Sequence, residues 1–162
     1  MQERRGNPRR FVFGILVLMK KGIDHIGISV VYFCHDGNGN VLLAKRSENS
    51  RDERGRWDIG GGAVEFGENV EDTVRKEIKE EYLTDVKALE FLGFRDVHRA
   101  DGDTRTHWVT LDFKVLVDRD KAGIGEPHKF DDLAWFTPGE LPSPVHSQLP
   151  TFLEKYKDIL SV

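Results

Sequence analysis

The feature that most constrains this chain is a short stretch in which a glycine triplet precedes glutamates at fixed spacings. Gly60–Gly62 form the triplet, Glu68 follows after five intervening residues, and Lys76–Glu81 read Lys-Glu-Ile-Lys-Glu-Glu. Glycines allow positive φ angles and let the backbone approach a ligand closely. A fold built on this stretch must therefore hold a tight backbone loop beside a concentration of negative charge.

The residues after the glycine loop have helical periodicity. Val70, Val74 and Ile78 recur at every fourth position, and Asn69 is a candidate N-cap. The spacing predicts a helix from Asn69 to about Leu83, with the valines on its buried face.

Three glutamates of this helix share one side of it. At about 100° per residue, Glu77 and Glu81 lie about 40° apart, and Glu80 lies about 60° to the other side of Glu77. The valines flank them, so the acids edge the buried face. Like charges there would repel one another and raise their pKa values unless a cation intervenes. Because Mg²⁺ prefers carboxylate oxygens and water, this pattern favours a metal site over a solvated run of charge.

The same spacing resembles the Nudix box, in which glycine and glutamate precede an Arg-Glu-apolar-x-Glu-Glu-x-Gly-apolar segment. Gly62, Glu68 and the segment from Lys76 to Glu81 fall on its positions. The flanking strand order is also similar to that of the family, so the resemblance spans roughly residues 27–160. It implies an α/β (α+β) fold, the Nudix α/β/α sandwich around a mixed sheet. The C-terminal half is most similar to MutT-like nucleoside-triphosphate diphosphatases.

The chain departs from the box in a few positions. Lys76 replaces the usual arginine, Leu83 the terminal glycine and Thr84 the last apolar residue, while Gly60 stands where many members carry proline. Lysine keeps the charge but loses the bidentate fork of arginine. Since no departure removes a metal ligand, we expect an altered rate rather than a loss of activity.

The resemblance also implies roles for individual residues. It implies a metal shell of Glu77, Glu80, Glu81 and a backbone carbonyl at Gly61 or Gly62, of which we favour Gly62, with Mg²⁺ as the cofactor and Mn²⁺ as a substitute. The catalytic set is these three glutamates with Glu68, which more often positions the helix or a distal metal. Which glutamate acts as the general base stays open. Glu126 is a further candidate ligand or base, although surface exposure is the favoured interpretation.

Candidate substrate-binding residues rest on weaker signals. Arg46 and Arg51 precede the glycine loop and could hold phosphate, although a surface ion pair explains each equally well. Trp57 could stack on a base, and His107 could contact a base or ribose. Each also has a structural explanation, as a core aromatic or as a strand histidine.

Other segments read as strands or as a closing helix. The β-branched and aromatic runs near residues 26–33, 41–44, 86–94, 107–115 and 133–136 predict strands. Phe152, Leu153, Tyr156, Ile159 and Leu160 fit one face of a helix. We expect a Nudix domain at residues 23–162 and an N-terminal extension at residues 1–22.

Composition limits the partners. The 162 residues carry a formal net charge of −4, which argues against a general nucleic-acid binder and leaves a small nucleotide as the expected substrate. The single cysteine excludes an intrachain disulfide, and the apolar run Phe11–Met19 is too short to span a bilayer. We expect a cytoplasmic protein without membrane contact. A homodimer is compatible with this apolar run.

Three functions follow from these observations. The first is hydrolysis of a (d)NTP to (d)NMP and pyrophosphate by attack of water at phosphorus. The second is hydrolysis of ADP-ribose or an NDP-sugar by the same chemistry. The third is a non-catalytic nucleotide-binding Nudix module, which the intact carboxylates disfavour.

Overall fold

The centre of the fold is the strand that the β-branched run near residue 30 predicts. The computed structural model describes residues 19–160, and in that range seven strands form one mixed sheet. The strands are β1 (Gly27–His35), β2 (Val41–Arg46), β3 (Trp57–Asp58), β4 (Gly61–Ala63), β5 (Val86–Asp101), β6 (Thr104–Val117) and β7 (Phe130–Phe136).

The strand order explains why the sheet is mixed. It runs β3-β2-β1-β6-β5, with β4 also paired to β1 and β7 to β2. β1 lies parallel to β6, from Gly27 opposite Trp108 to His35 opposite Leu116, whereas the remaining pairings are antiparallel. β1 is thus held by strands from three parts of the chain, and it supports the glycine loop directly through β4.

Two helices cover opposite faces of this sheet. α1 (Val70–Tyr82) packs against Val30 and Tyr32 of β1, and α2 (Leu149–Tyr156) packs against Phe33. Successive side chains of a strand point to opposite faces, so β1 contributes to both cores. The predicted α/β/α sandwich around a mixed sheet is confirmed.

The observed elements differ from the predicted ones mainly in length. β5 and β6 form a long hairpin that turns at residues 101–104, so the predicted strand at residues 86–94 continues to Asp101. The closing helix ends at Tyr156, and Ile159 beyond it is 45% exposed, so its predicted place on the buried helical face is wrong. Leu160 does reach the core, at 6% exposure.

The expectations about the first residues fall outside the part of the chain that the structure describes. This holds for residues 1–18, which include most of the apolar run that starts at Phe11. Within residues 19–160, no helix is long and apolar enough to cross a membrane.

Candidate active site

The glutamates of α1 differ sharply in their exposure. Glu81 is 4% exposed, Glu77 is half-buried and Glu80 is exposed. The Tyr32 hydroxyl of β1 donates a hydrogen bond to Glu81 Oε2, and Lys129 Nζ lies 3.7 Å from Glu81 Oε1. The helix therefore carries its acids from solvent into the interface with the sheet.

Burial makes the charged forms of two of these acids unfavourable. It raises the pKa of Glu81 to about 8, although the hydrogen bond from Tyr32 and the charge of Lys129 oppose the change. Burial also raises the pKa of Glu77, with a further contribution from the charge of Glu80, and the charge of Glu77 in turn contributes to the raised pKa of Glu81. A bound cation would relieve both effects, because it favours the ionised carboxylates. The donor set is thus suited to a hard divalent metal.

The glycine loop is fitted against these acids. The Glu77 carboxylate occupies the space that a side chain at Gly62 would need, and the rings of Tyr32 and Tyr82 lie where a side chain at Gly60 would point. Gly60 has a φ of 96°, a left-handed value that proline cannot adopt. The close approach predicted for the triplet is therefore a packing requirement of the site.

Glu68 makes a separate set of contacts at the start of the helix. Lys76 Nζ lies 2.6 Å from Glu68 Oε1, and the Thr73 hydroxyl donates to Oε2 at 3.1 Å. The hydrogen bond from Lys76 lowers the pKa of Glu68. Lysine in the arginine position of the box thus still pairs with this glutamate, and the pair ties the loop to α1.

The end of α1 shows the effect of a second departure from the box. Leu83 adopts a left-handed φ of 55°, the conformation that the glycine of the box would take without strain. Such a residue typically costs about 1 kcal/mol or more. The helix still ends at the expected position, so the replacement changes the energy of the turn and not its place.

The loop before β7 completes the acidic cluster. Glu126 and Lys129 form an ion pair at 2.5 Å, and the charge of Glu126 contributes to the raised pKa values of Glu77 and Glu81. The Glu126 side chain is 23% exposed, so it is less accessible than the sequence indicates. Sequence reasoning missed Lys129 and Tyr32, since both contacts depend on tertiary packing.

A cavity of about 700 Å³ lies on the α2 face of the sheet and borders the glycine loop. Arg46 and Arg51 line it, together with Trp108 and residues of the β5–β6 hairpin. Its lining, as far as the described residues show, includes neither Trp57 nor His107. The structure therefore brings the two predicted arginines to one cavity and leaves the other two candidates outside it.

Those other two candidates have different surroundings. Trp57 packs edge-on against Phe136 at 5.1 Å between ring centroids, within the α2-side core. His107 Nε2 lies 3.0 Å from Asp96 Oδ1. Their proposed contacts with substrate stay predictions.

The cavity also contains charged groups that the sequence did not single out. Arg46 Nη2 is held by Asp52 at 2.7 Å, and Arg99 pairs with the same aspartate at 2.7 Å. Asp58 lies 3.7 Å from His146 Nε2, and burial raises the pKa of this aspartate. Arg99 with Asp52 and His146 with Asp58 are distant in the chain, so spacing gives no signal for these two pairs.

Comparisons with known proteins identify this arrangement. The NUDIX domain profile matches residues 25–156, which contain both the glycine loop and α1. The chain belongs to the NUDIX family. Because Nudix proteins with this site cleave diphosphate linkages of nucleotides, the protein is a Nudix pyrophosphohydrolase.

Three comparisons with individual proteins show which Nudix proteins this chain is similar to. The nucleoside triphosphatase NudI of Enterobacter sp. strain 638 is 34% identical over 107 residues, which cover 62% of this chain and 74% of that protein. The structure of a MutT NUDIX hydrolase from Burkholderia pseudomallei matches with a TM-score of 0.71 and 26% identity, over 81% of this chain and 98% of that one. Both support the predicted MutT-like branch.

The third relative shares the fold alone. The NUDIX domain of Shewanella oneidensis NrtR, solved with ADP ribose, matches with a TM-score of 0.65 and 21% identity. It covers 86% of this chain and 89% of that one.

Proposed function

We propose that this Nudix hydrolase converts a nucleoside or deoxynucleoside triphosphate to the monophosphate and pyrophosphate, with Mg²⁺ as its cofactor. The observation that carries the proposal is the double role of the glycine loop. One side of the loop packs on the Glu77 carboxylate, and the other borders the large cavity. A ligand in the cavity could thus extend its phosphates past the loop to the acids of α1.

The metal would be held by Glu77, Glu80 and Glu81, with the carbonyl of Gly62 as a further ligand. When bound, Mg²⁺ neutralises phosphate oxygens and makes a bound water more acidic. The chain supplies the rest of the site, since one of these glutamates accepts the proton of the attacking water. Lys129 offsets part of their charge at 3.7 Å from Glu81, and Glu68 fixes the loop through Lys76.

The cavity would take the nucleoside and the leaving phosphates. Its volume of about 700 Å³ is in the usual range for a small-molecule site. Arg46 and Arg51 supply cations on its wall for phosphate, and Trp108 offers an aromatic face for a base. Arg46 is already oriented by Asp52, which reduces the entropy lost on binding.

A panel of substrates tests the proposal. NTPs, dNTPs, ADP-ribose and NDP-sugars would be incubated with the protein and Mg²⁺, and the products separated by ion-exchange chromatography. Monophosphate plus pyrophosphate from a triphosphate is the expected result. AMP plus ribose phosphate from ADP-ribose would instead support the alternative substrate class. Saturable nucleotide binding without any Mg²⁺-dependent product would support a binding module.

The metal and the setting of the protein belong to the same proposal. Mn²⁺ should replace Mg²⁺, because both accept oxygen ligands in octahedral geometry. The one cysteine, Cys34, is buried and unpaired, which is compatible with the proposed cytoplasmic location. The homodimer, the boundary at residues 22–23 and the absence of nucleic-acid and membrane partners remain predictions, which size-exclusion chromatography and binding assays can check.

A further inference from the structure

The β5–β6 hairpin carries a cluster of metal-binding side chains away from the α1 acids. Asp96 and His98 lie two residues apart on β5, and His98 is directly opposite His107 on β6. Residues two apart on a strand share a face, and directly opposed residues have neighbouring side chains. One ligand atom from each of the three residues lies within 4.8 Å of the others.

This cluster faces away from the cavity. Apart from Ala100 near the turn, the hairpin residues that line the cavity alternate with it along both strands, among them Arg95, Val97 and Trp108. The cluster is also open to solvent, since Asp96 and His98 are exposed and the His107 side chain is 33% exposed. An ion can therefore reach it without passing through the substrate site.

We propose that Asp96, His98 and His107 form a second metal site, which takes a transition-metal ion such as Zn²⁺, Co²⁺ or Ni²⁺. Imidazole suits these ions, whereas Mg²⁺ prefers oxygen ligands. Two imidazoles and one carboxylate leave coordination positions for water. The site thus differs in chemistry from the all-oxygen donor set of α1.

The distances support this assignment. His107 Nε2 and Asp96 Oδ1 are 3.0 Å apart. With metal–ligand bonds of about 2.05 Å, two ligands of one ion lie about 2.9 Å apart at right angles and about 3.3 Å apart in a tetrahedron. The observed separation falls between these values. The ring centroids of His98 and His107 are 4.1 Å apart, and the ligand atoms of all three residues lie within 4.8 Å of one another, so the second imidazole is in reach of the same ion.

A hydrogen bond between Asp96 and His107 explains the contact of these two residues, but it does not explain the position of His98 beside them. Antiparallel strand pairing alone would accept many residue types at position 98. His98 instead places a second imidazole on the same face of the hairpin. Arg105 lies two residues before His107 on this face and weakens the site by charge repulsion. An ion bound here would join β5 to β6 behind Val97 and Trp108 of the cavity.

Titration of the 162-residue chain without an affinity tag tests the site. Co²⁺ would be added in the presence of excess Mg²⁺, which occupies oxygen-ligand sites, and its visible absorption recorded before displacement by Zn²⁺. We expect one Co²⁺ per chain. The affinity should fall more than about tenfold in His98→Ala and in His107→Ala, because loss of a residue that only hydrogen-bonds to a metal ligand already lowers metal affinity by about that factor. His128→Ala changes an exposed histidine elsewhere and should bind as the unmodified protein does.

Two results would overturn the proposal. One is the absence of Co²⁺ absorption and of Zn²⁺ binding by calorimetry under these conditions. The other is binding that His98→Ala and His107→Ala leave unchanged. Because His98 and His128 are exposed and the His107 side chain is 33% exposed, circular dichroism and the thermal midpoint without metal should match those of the parent protein. Any difference in metal binding is then local.

Discussion

Two buried carboxylates on opposite faces of the sheet are treated very differently by their surroundings. Asp112, on the α2 face, is fully buried and accepts hydrogen bonds from Arg95 Nε at 2.6 Å, Arg95 Nη2 at 3.0 Å and the Tyr156 hydroxyl at 2.8 Å. Glu81, on the α1 face, has the Tyr32 hydroxyl and a lysine at 3.7 Å.

The difference separates a buried charge that is fully paired within the protein from one that is only partly paired. The bidentate hydrogen bonds from Arg95 offset the cost of burying the Asp112 carboxylate, so this charge is paired within the protein. Tyr32 and Lys129 offset the burial of Glu81 only in part, and its pKa rises to about 8. Strongly shifted pKa values are typical of functional sites. The protein thus leaves the charge of Glu81 only partly offset, as a carboxylate suited to a metal ion would be.

Removing the charge of Glu81 should have the largest effect. Glu81→Gln keeps the side-chain shape and an acceptor for Tyr32 but loses a proposed metal ligand, so we expect turnover to fall about 10²- to 10⁴-fold. Stability should be equal or higher, since no charge is then buried. Steady-state rates on the preferred nucleotide measure the first effect. Glu71→Gln, at an exposed position of the same helix, should keep full activity.

The corresponding change from acid to amide at Asp112 should lower stability and leave activity nearly unchanged. Asp112→Asn leaves the buried Arg95 without its anion, so we expect a loss of about 3–5 kcal/mol in the free energy of unfolding. Urea denaturation measures it, with the exposed Asp120→Asn as the control. Activity per folded molecule should change little. A loss of activity without a loss of stability would contradict the contrast between the two carboxylates.

The effect of Mg²⁺ on stability should distinguish the two carboxylates further. An ion that binds only the folded protein stabilises it by about 2.7 kcal/mol at one hundred times its dissociation constant. We expect Mg²⁺ to raise the stability of the parent protein and of Asp112→Asn alike, and EDTA to reverse this. Glu81→Gln should lose most of the increase. An equal Mg²⁺ response in all three proteins would place the ion elsewhere.

A third carboxylate, Asp36, should show the smallest effect and a defined pH dependence. Burial opposes its ionisation, but hydrogen bonds from Asn38, Asn40 and Arg119 outweigh it and lower the pKa to about 2. The group therefore contributes stability above its ordinary pKa near 4, and this is lost as the pH falls through about 2. The shift corresponds to about 2 kcal/mol.

Asp36→Asn checks this sign. The variant should be less stable than the parent at neutral pH, and the difference should shrink between about pH 4 and pH 2. Urea denaturation across that range measures both proteins. A difference that stays constant with pH would mean that the charge of Asp36 does not contribute.

Local patterns predicted the helix and the strands well. The expected helix at residues 69–83 is observed at Val70–Tyr82, because periodicity and turn chemistry act over a few residues. Short strands such as β3 and β4 were not predicted, since only pairing with β2 and β1 defines them. The parallel pairing of β1 and β6 is equally invisible in the sequence.

The candidate site likewise contains features that the sequence predicts and features that only the tertiary structure reveals. The spacing of Glu77 and Glu81 on one helix could be predicted, whereas the contact of Tyr32 with Glu81 could not. Lys129 likewise reaches the acids from a loop distant in sequence. Motifs therefore gave the candidate ligands, and tertiary structure gave the groups that set their electrostatics.

The parallel pairing of β1 with β6 also bears on how the enzyme is made. Residues 27–35 pair with residues 108–116, so the strand beneath α1 waits for a partner that a ribosome produces much later. Pairings of such wide separation form slowly, because a long loop must close first. The nascent chain can form the β5–β6 hairpin as soon as both strands emerge. The acids of α1 rest on β1, so hydrolytic competence should arise only near the end of synthesis.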